Sequence, residues 1–241
     1  MRSTTIDSAR RLFFAITIVL ATTAGSHALA QVAPSAAEVA AYTGLHAAAQ
    51  KGDIAKIDRL VAAKADLNAR DANGRTPLIV AAFAGQREAI KALARHGADL
   101  NLLDKDRYDG VTVAAVANDE ETLRVLLAQG ASAKLVTSRY DGTALIAAAH
   151  LGHEGVVKQL IAAGAPLDLV NNLHWTAAIE AVVLGDGGVR HQQTLRALIS
   201  AGANLQLTDR QGNTPLQLAR SRGYLEMVQM LERGGKAGKA G

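Results

Sequence analysis

His150 and His153 are the one pair of histidines close enough in sequence to share a metal ion, spaced i and i+3 across the end of a helical run. A zinc site needs at least three protein ligands, and no third is evident nearby, so the pair is read as structural. Nucleophilic chemistry is served no better: the chain has no cysteine, no nucleophile elbow and no metalloprotease helix. The run Asp186-Gly187-Gly188-Val189-Arg190 could approach a phosphate, but it lacks the following Lys-Ser/Thr and the preceding strand of a nucleotide loop. An enzyme built on this chain would have to use that run together with His191. Asp71, Asp104, Asp168 and Asp209 fall in turns, where carboxylates cap and hydrogen-bond locally. These residues therefore predict no catalytic group, no cofactor and no metal. Side chains suited to recognition are better represented: Arg75, Arg107, Tyr108, Arg139, Tyr140, His174, Trp175 and Arg210 all sit in turn segments, and arginine, tyrosine and tryptophan most often dominate interface energies.

The elements that carry these turns are set by one repeated stretch. Between Asp71 and Asn101 a turn at Ala72-Asn73-Gly74 leads into Thr76-Pro77-Leu78, where proline can open a helix without losing a needed donor. That helix ends near Gly85. A second apolar-periodic run through Ala89, Ile90, Leu93 and Ala94 follows, and Gly97-Ala98 stops it. With Thr-Pro-Leu opening it, an alanine pair inside it and Gly-Ala closing it at a period near 33, the unit resembles the ankyrin repeat.

The same slots recur along the chain. The opening position falls at Thr43, Thr76, Asp109, Thr143, Thr176 and Thr214, at spacings of 33, 33, 34, 33 and 38. One second-helix position holds Leu60, Leu93, Leu126, Leu160, Leu198 and Leu231. The resemblance therefore implies an all-α fold, an ankyrin-repeat solenoid of about six helix-turn-helix repeats with hairpin-like finger loops, over residues 43–235. Residues 31–42 read as an N-terminal capping helix or linker with Ser35 as its cap, including Glu38, Val39 and Tyr42 and running toward Thr43. Residues 236–241 read as a disordered basic tail. Departures from the pattern keep its physics: Asn118 stands at the inter-helix glycine, as the residue that best tolerates left-handed backbone. Lys56 and Glu232 make the end units wetter, as terminal caps require. Five extra residues around 186–190 read as a mobile surface loop. His46 and His153 fill histidine slots of the family pattern.

Ankyrin repeats imply a concave face of first helices and fingers that binds another protein, so function lies in the variable slots. Seven and eight residues after each opening position, the middle units hold Phe83, Val116, His150, Leu151, Val183 and Leu184, and the end units hold Gln50, Lys51, Ser221 and Arg222. A dry centre with a wet rim is the layout of a binding surface. Arg107, Tyr108, Arg139, Tyr140, Trp175 and Arg210 extend it onto the fingers, where Trp175 either projects or folds back over Leu173.

The first thirty residues stand apart. Arg2, Arg10 and Arg11 make a basic start, Leu12 to Ala24 an apolar core, and Ala28-Leu29-Ala30 a small-x-small cleavage site, so residues 1–30 read as a signal peptide. Arg10-Arg11-Leu12-Phe13-Phe14 also resembles a twin-arginine signal, which leaves the export route open. Of 26 basic and 22 acidic residues, this segment holds three arginines and one aspartate, so the remainder is close to neutral and gives no reason to expect nucleic acid. The expectation is a monomeric, non-enzymatic protein, periplasmic or secreted, that binds or regulates another protein and does not enter the membrane after cleavage. An envelope-attached structural protein is the alternative.

Overall fold

A computed structural model describes residues 31–237; the predicted signal peptide and residues 238–241 lie outside the described residues. Six helix pairs follow one short leading helix, α1 (Ala36–Ala41). The pairs are α2 (Gly44–Lys51) with α3 (Ile54–Ala62), α4 (Pro77–Phe83) with α5 (Arg87–Arg95), and α6 (Gly110–Val116) with α7 (Glu120–Ala128). They continue as α8 (Ala144–Leu151) with α9 (Glu154–Ala162), α10 (Ala177–Val183) with α11 (Val189–Ser200), and α12 (Pro215–Ser221) with α13 (Leu225–Ala237). First helices pack on first helices and second on second, giving two rows that share one core.

Each predicted opening residue is the N-cap of a first helix. Thr76, Asp109, Thr143, Thr176 and Thr214 accept a bond from the amide three residues on, which satisfies one of the orphan donors at a helix start. Pro77 and Pro215 sit at the first helical turn, where a missing N–H is harmless. Asn118 adopts φ 55° in the slot that Gly85 fills at φ 62°, as its side chain permits. Five residues after each cap stands an alanine that is at most 1% exposed: Ala48, Ala81, Ala114, Ala148, Ala181 and Ala219. The second-helix leucines Leu93, Leu126, Leu160 and Leu198 are fully buried, whereas Leu60 in the first pair is only partly covered.

Two expectations at the chain ends need correction. The leading helix does not run into α2, because Tyr42 and Thr43 are both extended and break it. At the other end α13 continues through Gly234 and Gly235 to Ala237, two residues into the stretch read as tail.

Fingers are built alike. Asp71, Asp104, Asn171 and Asp209 each accept, on one side-chain oxygen, the amides two and four residues ahead, which closes a tight hairpin. The longer finger at Thr137–Gly142 closes by backbone bridging instead. Successive fingers are joined by backbone bonds, Lys105 N–H to Asn73 O, Ser138 N–H to Arg107 O and Asn172 N–H to Tyr140 O, each at 2.9 Å. Three residues before the fingers, the side-chain oxygens of Asn68, Asn101 and Asp168 accept the amides of Asp99, Ser132 and Asn204 in the next unit. Where this series would need Lys134 as acceptor, the donor position holds Pro166, which has no N–H to leave unpaired.

Because repeat stability is a sum of unit and interface terms, we expect Leu126→Ala or Leu160→Ala to cost on the order of 2–5 kcal/mol and Leu60→Ala clearly less, measured by urea denaturation. Equal costs at all three positions would contradict this register. Asp109 gives a second expectation, since burial pushes its carboxyl above the ordinary aspartate range against the opposing bonds from Thr112. A folded-state proton held more tightly than in the unfolded chain stabilises fully below about pH 4 and progressively less as pH rises through the folded value. Asp109→Thr removes that loss, so the variant gains on wild type as pH rises from about 3 to about 8 in the same assay.

Candidate functional site

The residues that end the first helices lie side by side, because α4, α6, α8 and α10 are consecutive neighbours in one row. Phe83, Val116, His150 and Val183 are half-buried there, as is Leu151, and Leu184 is 41% exposed. His150 interrupts the apolar series seven residues after the caps, and its Nδ1 lies 3.3 Å from Glu180 Oε2. Phe83 is not bare, since the Arg75 guanidinium sits over its ring at 5.6 Å.

On the fingers, Arg107, Arg139 and Arg210 are exposed, and Tyr108, Tyr140 and Trp175 are half-buried. Arg107 reaches Asp141 on the next finger at 2.6 Å, and Arg210 donates to the carbonyl of Asn172. Burial raises the Tyr108 hydroxyl above its ordinary range, and the charge of Arg139 opposes this, so these two side chains belong to one neighbourhood. Trp175 is half-buried and packs against the core. Arg107 and His174 have φ of 65° and 63° at the tip position that Gly74 and Gly212 hold at 75° and 79°.

His150 and His153 find separate partners. His153 Nδ1 meets the carbonyl of Ala115 at 3.0 Å, and burial lowers its pKa, which favours the neutral ring that donates there. In the 186–190 run, residues 186–188 form a bend between α10 and α11, and Val189 and Arg190 begin α11, which is lengthened to 12 residues. Arg190 donates to Leu151 O at 2.8 Å, His191 Nε2 meets His150 O at 2.9 Å, and Tyr224 donates to Gly185 O at 3.1 Å. The first two satisfy carbonyls at the end of α8 that the helix itself leaves open, and the third satisfies one just past the end of α10. Asp186 faces His191 Nδ1 at 3.2 Å. With its other nitrogen on a carbonyl, His191 has none left for a substrate proton, so the pair is no acid-base dyad.

The burial of two charges, Glu180 and the finger residue Arg75, was not foreseen, and it takes Arg75 out of the exposed recognition side chains. Glu180 stands four residues after its cap, where the neighbouring units have Ala147 and Leu218 and earlier ones Val80 and Val113, and is 4% exposed. Its Oε1 accepts from Asn171 Nδ2 at 3.0 Å, while Oε2 makes no hydrogen bond and has His150 Nδ1 at 3.3 Å beside it. Three other fingers have aspartate where Asn171 stands; an aspartate there would set two carboxylates against each other. The coincidence of these two exceptions was the available signal. Arg75 is the second charge, 5% exposed, with Glu38 at 3.0 Å and Asp71 at 3.6 Å.

A family model for ankyrin repeats in three copies matches residues 20–104 and 111–209, and one for many copies matches residues 190–232. The chain is similar to YahD of Escherichia coli strain K12, described as an ankyrin repeat protein. It is 36% identical over 185 residues, which is 76% of this chain and 92% of YahD. Among solved structures it is similar to an ankyrin repeat domain from Acinetobacter baumannii AYE, 43% identical, covering 79% of this chain and 97% of that one with a TM-score of 0.75. It is also similar to the ankyrin repeat protein EF0377, 32% identical, covering 80% and 98% with a TM-score of 0.73.

If Asn171 stands in for aspartate because of Glu180, Asn171→Asp costs about 2 kcal/mol or more alone and little in a Glu180→Val background. A double-mutant cycle by urea denaturation measures the difference; additive costs would separate the two residues.

Proposed function

Since the chain belongs to the ankyrin-repeat family, whose repeats are generally protein–protein interaction modules, we propose that it is an exported, non-enzymatic binding protein. It docks onto or regulates a periplasmic or secreted protein through the concave row of first helices and the finger tips. Export is supported by the signal-like residues 1–30. No helix among the described residues is long and apolar enough to cross a membrane.

The observation that carries the reading is at the tips. Arg107 and His174 stand in left-handed backbone where two other fingers have glycine, which costs a non-glycine residue roughly 1–2 kcal/mol. Neither side chain recovers this inside the fold: both residues are exposed, and an exposed pair such as Arg107 with Asp141 is worth about 0–1 kcal/mol. Side chains kept at such positions serve a contact outside the chain. Phe83, Val116, His150, Leu151, Val183 and Leu184 supply the apolar middle of the face, and Arg139, Tyr140 and Arg210 its polar edge.

The test separates binding from stability. Trp175 is a poor probe because it packs on the core, whereas Arg107→Gly with His174→Gly removes two tip side chains and relieves their backbone. The double variant is expected to melt at the same temperature as wild type or higher, and to retain at least about tenfold less of the proteins that the mature chain captures from periplasmic extract. Unchanged capture would sink the proposal.

A further inference from the structure

The leading helix α1 buries none of its residues, yet it is held in one place. Glu38 Oε1 accepts from Arg75 Nη1 at 3.0 Å and from Asn73 Nδ2. Val32 O accepts from Arg75 Nη2 at 2.9 Å, and the Tyr42 hydroxyl donates to Asp71 at 2.9 Å. All of these partners belong to the first finger. The segment reaches the fold through polar groups, and it covers the guanidinium that lies over Phe83, the first apolar residue of the inner row.

The clasp is incomplete. Arg75 is 5% exposed, but its Nε has no hydrogen-bond partner. Glu38 takes one nitrogen of the fork and a backbone carbonyl takes another, so the side-on, two-bond arrangement in which arginine holds carboxylates most strongly is not formed. An unsatisfied donor on a buried cation is expensive. Glu38 cannot turn to complete the fork without giving up its own cap, because its second oxygen accepts the Ser35 amide at 2.7 Å. Those Ser35 bonds come first, and Arg75 later, in holding the Glu38 carboxyl at about 2, so the group stays charged whether or not it is docked. A carboxylate free of that tether could form both bonds.

We propose that residues 31–42 are an intramolecular occupant of the first finger, and that an acidic segment of the partner protein displaces Glu38 from Arg75 and Asn73 as it docks. This rests on the reading of the fingers and inner row as the binding face, and it adds the partner's chemistry and a gate. Displacement opens the Phe83 end of the row and exchanges a tethered carboxylate for a better-placed one. The gate is weak by construction, since α1 buries no side chain and the strap has its polar contacts and the stacking of Tyr42 on His46 to lose.

The test uses the mature full chain, its Glu38→Gln variant, and a synthetic peptide copying residues 31–42 in two forms, with glutamate or glutamine at position 38. We expect amide exchange over residues 36–41 to be at least about tenfold faster in Glu38→Gln than in wild type. The glutamate peptide, added up to a few millimolar, shifts the amide resonances of Asn73, Arg75 and Phe83 in the variant and leaves wild type unchanged. The glutamine peptide shifts neither. Unchanged exchange in the variant overturns the strap, and equal shifts from both peptides, or none from either, overturn carboxylate recognition. In the extract assay, Glu38→Gln is expected to retain more partner than wild type. Capture lost in Arg107→Gly with His174→Gly but unaffected by Glu38→Gln would remove the strap and leave the binding face. Capture indifferent to both would remove both.

Discussion

The alanine five residues after each N-cap is the constraint on which the stack depends. It stands in all six first helices and is buried in each. Helices of seven or eight residues are too short to persist alone in water, so each must bury apolar surface against its neighbours, and the neighbours must come close. A methyl at this point lets the backbones of adjacent first helices approach. A larger side chain would wedge the row apart and uncover the second-helix leucines as well, because five of the six pairs are joined by a tight turn whose backbone is in the left-handed region, at Gly52, Gly85, Asn118, Gly152 and Gly223. Without cysteines, the chain has no covalent reserve against such a loss.

Close stacking raises a second demand, that polar groups brought together between units be paired. The fingers meet it with backbone bonds, and the segments leading into them meet it with side-chain oxygens. Pairing is also visible where the pattern breaks. Lys134 cannot accept, and its partner position is Pro166, which cannot donate. Glu180 intrudes on an apolar slot, and the finger residue against it is asparagine, able to donate where aspartate could not. In both places two substitutions, each unfavourable alone, are compatible together.

Much of the fold was legible because the repeat states each rule several times. Thr76, Thr143, Thr176 and Thr214 mark caps, the leucine series marks the second helices, and Asn118 could be recognised by what its glycine neighbours do. The alanine register was harder: these helices bury several alanines, Ala149, Ala177 and Ala178 among them, so burial and composition do not single out the position five residues after the cap, held by Ala148 and Ala181. The site was legible as a set of positions and not as a set of free side chains. Phe83 could be placed in the row, but its cover by Arg75 depends on residues 31–42, which carry no repeat and so no pattern to read. Arg190 and His191 were likewise settled by contacts across units separated by about one repeat in sequence, which no local window contains.

Departures from the repeat therefore divide into two kinds, and the division bears on function. Lys134 with Pro166, Asn171 with Glu180, and Arg190 and His191 on the carbonyls of α8 are each answered within the fold, and they speak about folding. Arg107 and His174 in glycine conformations, Leu184 at 41% exposure and the unpaired Nε of Arg75 are not answered. Selection on stability alone would replace the first two with glycine and complete or remove the last. These positions lie on the finger tips, at the end of a first helix and beside Phe83, on the side of the molecule that the inner row and fingers define, whereas Lys64, exposed at φ 61° where later units have glycine, lies just past α3 in the end unit. What the fold leaves unsatisfied on that side is what another molecule would complete.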